Sequence, residues 1–221
     1  MGAVLLLAGG LAFAATPAFA VLLVAATIGV ISPSGNEVGP FLAVEQASLT
    51  QLVEPVRRTH LFTRYQLAGS LATAFGALAA GAVVQLAAGS VVDEADAYRA
   101  VIVGYALVGV ALAVVFWRVS PAVEVPPAEV VDPTIRTRLG LHQSQGVVIR
   151  LSALLALDAF AGGFVMQSFI AFWFSERFGV DPGVLGVILF GANILAAVSA
   201  LAAGPLAARF GLVRTMVYTH L

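Results

Sequence analysis

The sequence predicts an all-α, polytopic membrane helix bundle with five complete spans and a partial span at each end. Three observations carry this. First, 60% of the 221 residues are hydrophobic and only 10% are charged, with a mean hydropathy of +0.99, whereas soluble domains carry about 25% charge. Second, long apolar runs are separated by short polar stretches. Third, the arginines fall unevenly between those stretches. In the derived topology nine of the 11 Lys+Arg positions, all of them arginine, lie on one side and only Arg99 and Arg177 on the other, and an excess of basic residues marks the cytoplasmic face.

The N-terminal run Met1 to Thr16 is apolar but short, at 1.5 Å per residue less than a ~30 Å hydrocarbon core. Ala18-Phe19-Ala20 mimics a signal-peptidase site. The stretch has no basic leader, however, and apolar sequence resumes at once, so it reads as the end of a helix whose start is missing. Ala18 to about Val44 is the first complete span, interrupted by Ser32-Pro33-Ser34-Gly35-Asn36-Glu37 and Gly39-Pro40. Such kinks are tolerated where neighbouring helices satisfy the freed backbone groups. Glu45 to His60, with Arg57 and Arg58, reads as an inner loop.

Leu61 to Ala88 is the next span. Ala68, Ala72, Gly76 and Ala80 recur every fourth residue, a small-residue ridge that lets a second helix approach closely. Gly89 to Arg99 carries Asp93, Glu94 and Asp96 and reads as an outer loop. Ala100 to Trp117 returns inward, with Trp117 and Arg118 as interface anchors. Residues 118–146 contain Pro121, Pro126, Pro127 and Pro133 with scattered charge and no apolar period, the composition of a semi-extended linker. Val147 to Phe174 is a span, Ser175 to Pro182 an outer turn, and Gly183 to Ala203 the last complete span, with a second ridge at Ala192, Ala196, Ala200 and Gly204. Gly204 to Arg214 then reads as a short hydrophilic inner turn, because a free arginine in lipid costs several kcal/mol.

That turn carries a resemblance. Gly204, Leu206, Arg209 and Gly211 match the G-x-L-x-D-R-x-G-R-R/K loop motif of the major facilitator superfamily, with Ala208 at the acidic position and the next basic residue displaced to Arg214. The lost acid is similar to the degenerate second copy between family helices 8 and 9. Placing the 118–146 linker after helix 6, where the family has its long cytoplasmic connection, puts the motif there independently. The chain thus resembles helices 3 to 8 and the start of 9: residues 1–117 as part of the N-terminal half and 147–221 as part of the C-terminal half, a fragment of the whole fold. The resemblance implies that the Leu61–Ala88 and Gly183–Gly204 helices, family helices 5 and 8, face each other across the halves. It also implies that Arg209 makes a gate-locking charge contact, incomplete here because Ala208 replaces the acid.

Several residues are candidates for solute or proton contact. Asp158 lies eight residues past Arg150, about 12 Å into the membrane. An intramembrane acid is a functional-site hypothesis by default, and the alternative is a structural lock with an arginine. Glu37, preceded by Asn36, sits beside the kinks and reads as a cavity residue or an arginine partner. Glu45 reads as an interfacial gate or cap. Gln167 and Asn193 are mid-membrane amides; Asp158 and Gln167 are nine residues apart, on opposite faces of a straight helix unless Gly162 and Gly163 bend it. The aromatic set from Phe160 to Phe174 reads as packing and interface belt.

Other chemistries find no support. His60, His142 and His220 lack ligand spacing, cysteine is absent, no phosphate loop appears, and no Ser/His/Asp set shares a depth. The chain is therefore expected to be no enzyme and to need no metal or cofactor, and its net charge of −1 offers nothing to nucleic acid. The expectation is a secondary transporter of the cytoplasmic membrane. It would move a small solute by alternating access, driven by a proton, another ion or the solute's own gradient, with the linker and arginine-rich loops inside. The Gly-Pro antiporter signature is missing, since Ala77 follows Gly76. The alternatives are a non-transporting sensor or scaffold of similar fold and a non-functional truncated product.

Overall fold

A computed structural model describes residues 2–28, 40–54, 57–88, 90, 93–118 and 145–220. Within them the chain forms α1 (Gly2–Ala15), α2 (Phe19–Ile28), α3 (Pro40–Gln51), α4 (Arg58–Ala88), α5 (Glu94–Trp117), α6 (Gln145–Gly163), α7 (Gln167–Phe178), α8 (Pro182–Phe210) and α9 (Leu212–His220). Among the described residues, four stretches are long and apolar enough to cross a bilayer: Arg58–Ala88, Ala95–Trp117, Gln145–Phe178 and Pro182–Phe210. The fifth expected span, Ala18 to Val44, runs through residues 29–39, which lie outside the described residues, as do Asn36, Glu37 and linker residues 119–144.

Two antiparallel helix pairs organise the bundle, and each is built on glycine. In the first, α1 lies on α5: a Cβ on Gly10 would sit 2.9 Å from Ala106 Cβ, and one on Gly109 would sit 2.6 Å from Leu6 Cδ2. The second and more extensive pair is α4 with α8. A Cβ on Gly81 would lie 2.7 Å from the Pro182 carbonyl oxygen and 2.9 Å from Gly186 Cα. At the far end, Gly204 lies beside Thr63 and His60. The α4 C-terminus therefore meets the α8 N-terminus, and Gln85 joins them: its Oε1 accepts the Gly183 N–H at 3.3 Å. α4 also touches α5, linking the pairs.

Buried residues are small (Ala74, Ala97, Ala106, Ala197, Ser70), while Leu86, Trp117, Phe164 and Leu195 point outward. This reverses the arrangement of a soluble core. It suits lipid, where burying a large apolar side chain gains nothing over tail contact and helices associate by close packing of small residues.

The α4–α8 contact expected from the two ridges is present, and Gly204 of the second ridge is buried in it, but most of the ridge residues lie on other faces. Ala68, Ala72, Gly76, Ala192 and Ala196 are exposed, and the buried stripes are Ser70, Ala74, Gly81, Val84 on α4 and Gly186, Ala197, Gly204 on α8. A strict four-residue repeat advances about 40° past a full turn at each step, so it winds off any one face within three steps, whereas alternating steps of three and four stay on it.

Candidate functional site

Between α3, α4 and α8 lies a cavity of about 590 Å³. α3 contributes Glu45 and Gln46, α4 contributes Tyr65, Gln66, Ser70 and Thr73, and α8 contributes Asn193. Thr73 is at the centre of α4, so the cavity runs from the middle of that helix toward its N-terminal end. That end bears Arg57, Arg58 and Arg64, and the antiparallel pairing brings Arg209 of α8 to the same end.

The α3 helix is what presents Glu45. The expected loop from Glu45 to His60 is a helix as far as Gln51, and Leu52–Glu54 lie outside it. Glu, Gln, Ala and Leu are good helix formers, and polarity alone does not end a helix. Glu45 is half-buried, and its Oε2 accepts the Tyr65 hydroxyl at 2.9 Å. Among the described residues the ion pair within 4.0 Å is Arg99–Asp96, and no described arginine pairs with Glu45. Thr73 Oγ1 donates to the Gly69 carbonyl at 3.0 Å, and Asn193 Nδ2 to the Leu189 carbonyl at 2.8 Å. A carbonyl can only accept, which fixes the Asn193 amide with its nitrogen toward the backbone.

Of the residues singled out from sequence, Asn193 lines this cavity and Asp158 and Gln167 do not. Asp158 is exposed on α6, whose residues are all unburied, and it has no arginine partner among the described residues. The span breaks at the glycine pair: α6 ends at Gly163, the chain turns through Phe164–Met166, and Gln167 opens α7 half-buried. Glu45, read from sequence as a gate or cap, lines the cavity together with Gln46, Tyr65, Gln66, Ser70 and Thr73, which the sequence reading does not single out. Their signal was the polar set at 66, 70 and 73 on one face of an otherwise small and apolar helix, with Tyr65 beside it.

The Gly204–Arg214 segment is not a turn of eleven residues. α8 continues through Gly204, Pro205 and Arg209 to Phe210, only Gly211 lies outside a helix, and Arg214 is on α9. Leu206-Ala-Ala-Arg209 is strongly helix-forming, so the chain emerges from the apolar layer still helical. Gly211, with φ 87° and ψ 151°, makes the whole turn in a conformation open essentially to glycine alone. Its N–H donates to the Ala207 carbonyl at 2.9 Å. Arg209 is exposed, its guanidinium 5.4 Å from the Phe210 ring centroid.

Apolar spans, small residues at the helix contacts and a polar cavity among them define a multi-pass helical membrane protein. The chain belongs to the major facilitator superfamily, a family of membrane transporters: the model described as Major Facilitator Superfamily matches residues 1–221. A curated relative, the uncharacterized membrane protein YJR124C of Saccharomyces cerevisiae, is 26% identical over 247 residues. That alignment covers 100% of this chain and 55% of the relative, so the chain spans about half the length of the protein it matches. No solved structure matches it.

Proposed function

We propose that the chain is part of a secondary transporter that moves a small solute across the cytoplasmic membrane by alternating access. The α3–α4–α8 cavity is its solute site, and α4 and α8 belong to two halves, residues 1–117 and 147–221, that rock against each other. The supporting observation is the cavity itself: a carboxylate, amides and hydroxyls gathered at the α4–α8 contact, in a bundle whose outward surface is rich in large apolar side chains. Transporter sites of this kind sit near the midplane between two moving units. A scaffold or sensor needs no such hollow.

In this proposal the arginine-bearing ends of α4 and α8 are cytoplasmic, and Arg209, Gly211 and Arg214 stabilise closure at that end. Asp158 couples an ion to the cycle, with Gln167 at the helix break and Asn36 and Glu37 contributing from the Ala18–Val44 stretch.

The chain contains no cysteine, so Thr73→Cys introduces a single thiol into the cavity. In sealed proteoliposomes of known orientation, alternating access predicts labelling by a membrane-impermeant maleimide applied from either side. Labelling from one side only is the result for a static scaffold and refutes the proposal.

A further inference from the structure

The hydrogen-bond polarity of the cavity identifies a class of solute. Among the described residues seven polar side chains line it, and none of these is basic: Glu45 is the charged one, with Gln46, Tyr65, Gln66, Ser70, Thr73 and Asn193 around it. Three of the donors are already committed within the protein. The Tyr65 hydroxyl donates to Glu45, the Thr73 hydroxyl to the Gly69 carbonyl and the Asn193 amide nitrogen to the Leu189 carbonyl. Apart from the second N–H of Asn193, what these groups retain is acceptor capacity: the second Glu45 oxygen, the lone pairs of Thr73 Oγ1 and the Asn193 carbonyl oxygen. Tyr65 orients the Glu45 carboxylate without cancelling its charge, since a phenol donor is neutral. A half-buried carboxylate with no cationic partner among the described residues favours a ligand that supplies both positive charge and N–H donors.

Resting on the transport reading, we propose that the solute is a small hydroxylated primary amine, bound as its ammonium ion, and that Glu45 is the residue that binds the ammonium. The –NH3+ group brings three donors and no acceptor, the complement of the Glu45, Thr73 and Asn193 oxygens. The hydroxyls of such a solute both donate and accept, which suits the Gln46 and Gln66 amides and the Ser70 hydroxyl. Carboxylated and phosphorylated solutes are disfavoured, because they meet Glu45 with no arginine or histidine among the described lining residues to offset the repulsion. The cavity, at about 590 Å³, lies within the roughly 300–1,000 Å³ of pockets that hold drug-sized ligands, so a six-carbon amino polyol has room.

Glucamine and sorbitol test this directly, because they differ by one ammonium in place of one hydroxyl. Both are titrated calorimetrically into the protein in lipid nanodiscs at fixed ionic strength. Glucamine is expected to bind roughly 10- to 100-fold more tightly than sorbitol, the worth of a charge-assisted hydrogen bond. Glu45→Gln is expected to bring the two affinities together, whereas Tyr65→Phe, which keeps the carboxylate, weakens glucamine binding but preserves its preference. Equal wild-type affinities for the two polyols overturn the assignment and leave a solute cavity in place. A glucamine preference that survives Glu45→Gln, or the binding of neither polyol, also overturns it. The wild-type comparison holds even if a variant fails to fold. Failure of the transport reading looks different: glucamine binds with the predicted preference but does not exchange across proteoliposomes.

Discussion

Gly81→Ala tests how the bundle is held together. The new Cβ would lie 2.7 Å from the Pro182 carbonyl oxygen and 2.9 Å from Gly186 Cα, both backbone atoms, where ordinary contact begins at 3.4 Å. No side chain can rotate away, so α4 and α8 must separate by about 0.7 Å at their tightest point. A gap of roughly 0.5–1 Å forfeits a quarter to a half of the dispersion well of each contact it opens, and dispersion is what associates helices in lipid. Inserting a methyl into a packed contact costs about 1–3 kcal/mol, against about 0.5–1 kcal/mol gained because alanine is the better helix residue. Gly76→Ala on the same helix is the matched control: its Cβ meets nothing within 4 Å, so it keeps the helix gain alone. In reversible detergent–denaturant unfolding, Gly81→Ala should fall below wild type and Gly76→Ala should match or exceed it, a separation of about 1–3 kcal/mol. Gly186→Ala strains the same backbone contact, at 3.0 Å from the Ala77 carbonyl oxygen and 3.1 Å from Gly81 Cα. The double variant should therefore cost less than the two singles together, because one separation relieves both. Equal stabilities for Gly81→Ala and Gly76→Ala would refute the close-packed pair.

Further outcomes follow from single contacts. Gly211→Ala places a Cβ in the φ 87°, ψ 151° conformation and should cost about 1–3 kcal/mol, read as lower thermal stability, with Gly179→Asn at φ 62° far milder because asparagine tolerates the left-handed region. Gln85→Ala removes the acceptor of the Gly183 N–H and should cost about 0.5–1.5 kcal/mol in the same unfolding assay. Gln85→Glu keeps the acceptor and adds a negative charge at the α8 N-terminus, so it should be neutral or stabilising by about 0.3–1 kcal/mol. Asp158→Asn should abolish proton movement recorded by an internal pH dye while leaving solute exchange; unchanged proton movement removes Asp158 from coupling.

The composition and hydropathy of the chain made its class legible, and the pairing of α4 with α8 followed from two small-residue helices whose places in the family fold agreed. The register of that pair was not legible. Ala68 and Ala72 look like an interface because they are small, but small size does not say which way a residue points, and the helix winds them away from the contact that Ala74 and Gly81 make. Helix ends were misjudged where polarity and propensity disagree. Glu45–Gln51 and Gly204–Phe210 read as loops for their charged and polar residues, although both sequences are helix-forming and both are helical. The same error hid the candidate site: with Glu45 set in a loop, nothing brought it to Tyr65, twenty residues on. Gly162-Gly163 was legible as a break because two adjacent glycines weaken a helix wherever it runs. Asp158 drew attention as an acid in an apolar run, yet the cavity is lined by α3, α4 and α8, a meeting that only the tertiary arrangement reveals.

Alternating access about the α4–α8 contact is the central claim, and spin-label distances at the two ends of that pair test it most directly. One pair of labels, at His60→Cys and Ala208→Cys, reports the arginine-bearing end. Another, at Leu86→Cys and Val184→Cys, reports the opposite end. Pulsed dipolar spectroscopy in nanodiscs should find two distance populations at each end, with ligand shifting the ends in opposite directions. A single narrow distance at both ends, unmoved by ligand, would mean a rigid bundle and would contradict the account.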